Sequence, residues 1–151
     1  MVWGCITSKG PGFLCKIDGI MDQTLYKEIL AGELEQTFEW YHLDKSRIIF
    51  QQDNDPKHSA KSIAEYIHEQ EYSVLEWPPQ SPDMNPIEHM WALVKRRLNE
   101  YESPPSGLVE LWERVQDIWN KVTQEECLKV IDSMPSRIQA LLKAKGRWTD
   151  Y

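Results

Sequence analysis

Arg47-Ile48-Ile49-Phe50-Gln51-Gln52-Asp53-Asn54-Asp55-Pro56 joins an apolar β-type run to a polar end and then a turn. A short apolar run bounded by turn residues reads as a buried strand. Asp55 is suited to cap a helix and Pro56 to its first position, so a helix is predicted from there to about Gln70, with Ala60, Ile63 and Ile67 on one face. Residues 72–77 read as a further strand. Strand, helix and strand in that order predict a sheet with helices packed on it.

Upstream, residues 2–8 and 13–17 read as a hairpin with a four-residue loop, Lys9-Gly10-Pro11-Gly12. Asp22 reads as the cap of a helix reaching about Tyr41, with Gly32 as an interruption. From Asp22 to Asp44 there are six acids and one lysine, the pattern of a solvated acidic face. Downstream, Pro78-Pro79-Gln80-Ser81-Pro82 excludes helix interior and central strand and reads as a stiff loop. Asn85-Pro86 starts a helix to about Asn99, with Ile87, Met90, Trp91, Val94 and Leu98 as its apolar stripe. Leu108 to Val122 is strongly amphipathic, Thr123 and Glu126 form a capping box, and a last helix from Ser133 is predicted to end at Gly146. The predicted order is therefore β-β-α-β-α-β-α with a helical tail, in one α/β domain over 1–151.

The chain has 151 residues, 41% hydrophobic and 27% charged, enough for a real core. Lys and Arg number 17 and Asp and Glu 24, a formal charge of −7. That balance argues against coating nucleic acid by bulk charge but leaves room for a local basic site. No apolar run approaches the roughly 18–20 residues of a membrane span. The N-terminus lacks the pattern of a signal peptide. Cys5, Cys15 and Cys127 are sparse and without metal-type spacing, as expected of reduced thiols in an intracellular compartment. Of the seven tryptophans, Trp91, Trp112 and Trp119 lie on apolar stripes and read as core, and Trp77 as closing the core under the Pro-rich loop. Trp148, past the last helix cap, suits either packing on the domain or contact with a partner.

Two carboxylates stand out by position. Asp53 is placed at a strand end, where ligand groups collect in α/β sheets, and Glu88 in the first turn of the helix after the next strand. Thirty-four residues intervene. Such a pair suits Mg²⁺ or Mn²⁺, because hard cations take oxygen ligands. Two such ions stabilise the attacking and leaving oxygens in phosphodiester chemistry. The same residues also suit plain structure: Asp53-Asn54-Asp55 as turn chemistry, and Asn85-Pro86-Ile87-Glu88 as a helix cap.

The words around the carboxylates are more specific. Gln52-Asp53-Asn54-Asp55-Pro56-Lys57-His58 and the stretch from Trp77 to Trp91 (WPPQSPDMNPIEHMW) closely resemble the two signatures of mariner-superfamily DDE transposases, Tc-like branch. Val2-Trp3-Gly4-Cys5 and the closing Lys145–Tyr151 are similar to that family too, so the resemblance covers essentially the whole chain. It implies an RNase H-like mixed sheet with flanking helices, cleaving DNA at transposon ends and joining those ends to a target. It implies Asp53 and Glu88 as the second and third catalytic, metal-binding acids of a two-metal Mg²⁺ or Mn²⁺ site. It implies support or substrate positioning by Asn54 and His58, the alternative for His58 being a surface helix-start histidine. It further implies DNA partners, no membrane, a homodimer of the full-length protein, and a nuclear location in a eukaryote or otherwise an intracellular one.

The family's first Asp, on the central first strand, and its helix-turn-helix DNA-reading region have no counterpart in these residues. Asp18 and Asp22 read instead as turn and cap. The expectation is thus a partial fold with an incomplete metal site, from an internal methionine of a longer frame or a decayed copy. A non-catalytic DNA- or protein-binding remnant is the alternative reading. Lys95, Arg96 and Arg97, and Arg137, Lys143, Lys145 and Arg147 within an acid-free stretch over 133–149, suit DNA phosphates. They suit equally well ordinary solvated helix faces, with cations favoured near helix C-termini.

Overall fold

The computed structural model describes residues 1–70, 72–77 and 84–144. The elements run β1 (Val2–Thr7), β2 (Gly10–Lys16), α1 (Gln23–Ile29), a π-helical turn (Leu30–Leu34) and α2 (Glu35–Trp40). A 3₁₀ turn (Lys45–Arg47), β3 (Ile49–Phe50), α3 (Lys61–His68) and β4 (Ser73–Val74) follow. The chain then continues through α4 (Pro86–Leu98), α5 (Leu108–Asn120), α6 (Gln124–Ile131) and α7 (Met134–Lys143). The predicted order holds throughout.

Two compact units divide these elements: Met1–Gly4 with Cys15–Ser81, and Cys5–Leu14 with Pro82–Tyr151. In the first unit the helical run 23–40 buries Tyr26, Ile29, Leu30, Leu34 and Phe38, and α3 buries Ile63 and Ile67. Asp22 caps α1 as expected, its carboxylate accepting from Thr24 N–H and Leu25 N–H. The predicted interruption at Gly32 is the π-helical turn, which adds a residue and re-aims the apolar stripe. Tyr72, buried beside β4, meets Phe38 and Phe50 edge-on at 5.6 and 5.7 Å.

In the second unit one face of α4 and one of α5 share a core of Met90, Val94, Val115, Ile118, Trp119, Val122 and Cys127. The hairpin residues Ile6 and Leu14 pack against it. Trp119 stacks on Trp91 at 5.1 Å, and its indole N–H donates to the Gly12 carbonyl at 2.7 Å. The tryptophans read as core are therefore core: Trp119 is 2% exposed, and Trp91 and Trp112 pack against the same cluster.

Several boundaries move. The hairpin turns at Ser8-Lys9, not over Lys9–Gly12, because Thr7 Oγ1 closes the turn by donating to the Gly10 carbonyl. Gly10 takes a φ of 145° at the first position of β2, which only glycine adopts readily. The strands predicted over 47–53 and 72–77 shrink to two residues each, paired in parallel as Ile49↔Ser73 and Phe50↔Val74. Asp44 caps the 3₁₀ turn by accepting from Ser46 N–H, so Arg47 is turn and not strand. Ile49 is 69% exposed, which corrects the buried reading of that strand. The helix predicted from Asp55 starts only at Lys61. Residues 55–59 form a turn in which the Asp55 carboxylate accepts from Lys57 N–H and its carbonyl from His58 and Ser59 N–H. The expected mixed sheet consists of two two-stranded ladders, β1–β2 and β3–β4, and among the described residues no strand pairs with both. The predicted loop 78–82, the Gly146 stop and Trp148 lie outside the described residues.

Candidate active site

Asp53 lies three residues past β3, in the loop that links β3 to the 55–59 turn. Its Oδ1 accepts from the Asp55 backbone N–H at 3.1 Å and meets His58 Nδ1 at 2.6 Å. A carboxylate oxygen with one hydrogen bond already accepted from Asp55 serves as acceptor again, so Nδ1 is the donor in this contact. The Asp53 side chain is 52% exposed, and Oδ2 has no hydrogen-bond partner among the described residues. Asn54 donates its side-chain N–H to the Trp77 carbonyl at 2.6 Å, tying the loop to the chain that leaves β4. Trp77 thus enters through its carbonyl, with its ring half-buried. Asp55 is held below the usual carboxylate range, first by the Lys57 backbone N–H, then by the Lys57 side chain and the charge of His58.

His58 is not a surface helix-start residue. Its side chain is 14% exposed, it precedes α3, and its ring stacks on Tyr26 at 4.0 Å with 29° between planes. Tyr26 and Gln52 are the site residues that sequence reasoning missed. Tyr26 reads as one more apolar position of α1, and Gln52 as a polar strand end. The only sequence signal is that Gln52 precedes Asp53; none marks Tyr26.

Glu88 lies in the second unit, in the first turn of α4, exposed; its backbone N–H donates to the Asn85 carbonyl at 3.2 Å, and its carboxylate has no hydrogen-bond or ion-pair partner among the described residues. Asn85 caps α4 by accepting from Ile87 N–H, with Pro86 at the first helical position, as predicted. The helix-cap reading of Asn85-Pro86-Ile87-Glu88 is thus met by Asn85 and Pro86, with no capping-box bond from Glu88 among the described residues. The neighbouring His89 is held below the usual imidazole range by burial and by the charge of Arg137.

Of the basic residues, Lys95 and Arg96 are exposed on α4 and Lys143 on α7. Arg97 is paired with Glu126 at 2.5 Å, so its charge is spent inside the unit. Arg137 is 1% exposed, which removes it from the predicted phosphate-facing set. Lys145 and Arg147 lie outside the described residues. Asp18 pairs with Lys16 at 3.1 Å and Asp22 caps α1, so both are turn and cap as read. No cysteine is in a disulfide.

A carboxylate in the loop after β3, one oxygen braced and the other without a hydrogen-bond partner among the described residues, fits a hard divalent cation. Among the described residues no group of three or more His, Cys, Asp or Glu side chains gathers to hold one.

The family model for the DDE superfamily endonucleases matches residues 1–107, and the chain belongs to that family. More particularly, it is 38% identical over 152 aligned residues to the Tcb2 transposase of Caenorhabditis briggsae and to the Tc1 transposase of Caenorhabditis elegans. In each case all of this chain and 54% of the relative are covered, so the chain spans about half the length of these curated relatives. Among solved structures, it matches the Mos1 transposase catalytic domain with raltegravir and Mg at a TM-score of 0.86 and 19% identity, covering 99% of this chain and 76% of that one. It also matches the Mos1 mariner paired-end complex with Mn at a TM-score of 0.83 and 18% identity, covering 99% of this chain and 44% of that one. The fold is RNase H-like, as the signatures imply.

Proposed function

We propose that residues 1–151 are the catalytic portion of a Tc-like transposase that cleaves DNA at transposon ends and joins the freed ends to a target. The observation that carries this reading is Asp53: a carboxylate in the loop three residues past β3, braced on one oxygen by His58 and the Asp55 N–H and open on the other. Asp53 and Glu88 are its catalytic acids and the ligands of Mg²⁺ or Mn²⁺. When bound, the metal stabilises charge on the attacking and leaving oxygens of a phosphodiester. The reaction class is attack of water on the transposon-end phosphodiester, then attack of the freed 3′-OH on target DNA.

The residues of the chain do the positioning. Asp53 holds its carboxylate toward solvent and His58 limits its rotation. Asn54 fixes the loop to the segment after β4. Lys95, Arg96, Lys143, Lys145 and Arg147 are proposed to contact phosphate. By the same reading the protein works in the nucleus if its source is eukaryotic and otherwise inside the cell, with a homodimer as the expected assembly of the full-length protein. In the full-length protein containing residues 1–151, Glu88→Ala and Asp53→Asn are expected to abolish Mg²⁺- or Mn²⁺-dependent nicking of transposon-end DNA. Undiminished nicking by Glu88→Ala would overturn the assignment of Glu88, whereas no metal-dependent nicking by the unsubstituted full-length protein would leave the non-catalytic DNA- or protein-binding module as the better reading.

A further inference from the structure

Gln52 closes the loop that carries Asp53. Its side-chain Nε2 donates to the His58 carbonyl at 3.1 Å, and its Oε1 accepts from the Tyr26 hydroxyl at 2.7 Å. The amide can be seated only this way round. A carbonyl oxygen accepts and never donates, so the NH₂ must face His58 and the oxygen is left for the tyrosine O–H. One side chain therefore joins the two ends of the 52–58 loop and ties both to α1. Tyr26, 1% exposed, stacks its ring on the His58 imidazole, and the same imidazole bonds Asp53 Oδ1. Every member of this circuit belongs to the first unit.

We propose that Gln52 and Tyr26 are positioning residues for Asp53, acting through His58; the inference rests on the reading of Asp53 as a catalytic acid. The need for such a brace is local. Asp53 stands beyond a strand of only two residues, half exposed, where no ladder hydrogen bond among the described residues restrains its backbone. A carboxylate that must hold one orientation there has to be held by side chains, and supporting residues of this kind set the geometry of the group that reacts. The circuit restrains it from two directions. Gln52 fixes the loop ends, and Tyr26 fixes the plane of the ring that meets Oδ1.

Two near-isosteric variants separate the parts. Gln52→Glu keeps an acceptor for Tyr26 but sets a carboxylate oxygen against the His58 carbonyl. Tyr26→Phe keeps the stacked ring and loses the hydroxyl tie. In the chain 1–151, the amide of Asp55 reports on Asp53, because it donates to Asp53 Oδ1. Gln52→Glu should speed exchange of that amide about tenfold, the loss of roughly one hydrogen bond's worth of protection, and Tyr26→Phe less. Gln52→Glu should also shift the His58 ring protons toward unstacked values, although Gln52 touches only the backbone of His58. The α3 amides of Ile63 and Ile67 should keep their protection in both variants. Unchanged Asp55 exchange in both, or equal acceleration at Ile63 and Ile67, overturns the proposal in favour of a merely structural role. None of these readouts needs catalysis, so they stand apart from the Glu88→Ala outcome. In the full-length protein the same variants should lower kcat with KM for DNA unchanged. A change in KM alone counts against the proposal.

Discussion

At the scale of the residue, burial decides reactivity. Cys127 is fully buried in the core of the second unit, and desolvation, then the charge of Glu126, pushes its thiol up to about 11. Cys15 is only half-buried, yet desolvation followed by Glu33 also raises its thiol to about 11. Alkylation needs the thiolate. At pH 8 a thiol reagent should therefore modify Cys15 slowly, with a rate that rises with pH to a plateau above about 11. Cys127 should react only after unfolding, and labelling of Cys127 in the native chain would contradict its burial. Trp119 is the largest buried side chain here and satisfies its indole N–H on Gly12. Trp119→Phe should cost about 1–3 kcal/mol in chemical unfolding, because it removes packing area and leaves the Gly12 carbonyl without that donor.

At the scale of the element, helix ends carry stability that can be measured singly. α2 ends in a Schellman motif: Leu43 N–H bonds the Phe38 carbonyl and His42 N–H the Glu39 carbonyl. Its left-handed position is His42, at φ 49°, where glycine is the unstrained residue. His42→Gly should therefore stabilise the chain by about 1 kcal/mol, seen as a raised Tm. The capping box predicted for α6 is present, with Thr123 Oγ1 accepting from Glu126 N–H at 3.2 Å and Glu126 accepting from Thr123 N–H at 2.9 Å. Thr123→Ala should cost about 1 kcal/mol in denaturant unfolding. In the first turn of α5, Glu110 is held down to about 2, chiefly by the Ser106 hydroxyl and backbone N–H and then by Arg114. A depressed folded-state pKa contributes stability above the usual 4.5 and loses it as pH falls toward 2. Ser106→Ala should flatten that part of the Tm-against-pH curve.

At the scale of the whole molecule, charge sets the terms for the DNA contact proposed above. The chain carries −7 overall, so that proposal rests on local cations such as Lys95, Arg96 and Lys143. DNA affinity should fall steeply with salt, and Lys95→Ala with Arg96→Ala should lower the slope by up to about 2. A salt-independent affinity would exclude phosphate contacts at these residues. No helix among the described residues is long and apolar enough to cross a membrane.

Local chemistry was legible wherever its cause is local. Asp22, Asn85 and Thr123 cap the helices they were read to cap, because a cap needs only a side-chain oxygen a few residues from the N–H it accepts. The apolar stripes of α4 and α5 face the core for the same reason, since helical period is written in the residues themselves. Asp53 and Glu88, the acids proposed for the site, were singled out by their surrounding words and the order of elements. What sequence could not supply depends on partners distant along the chain. The strands over 47–53 and 72–77 shrank because strand length is set by how far two ladders pair, not by apolar run length. Arg97 and Arg137 left the basic set because Glu126 and burial claim them. The brace of Gln52, Tyr26 and His58 around Asp53 joins residues 26 apart, and only folding α1 beside the 52–58 loop brings the hydroxyl, amide and imidazole within hydrogen-bonding reach.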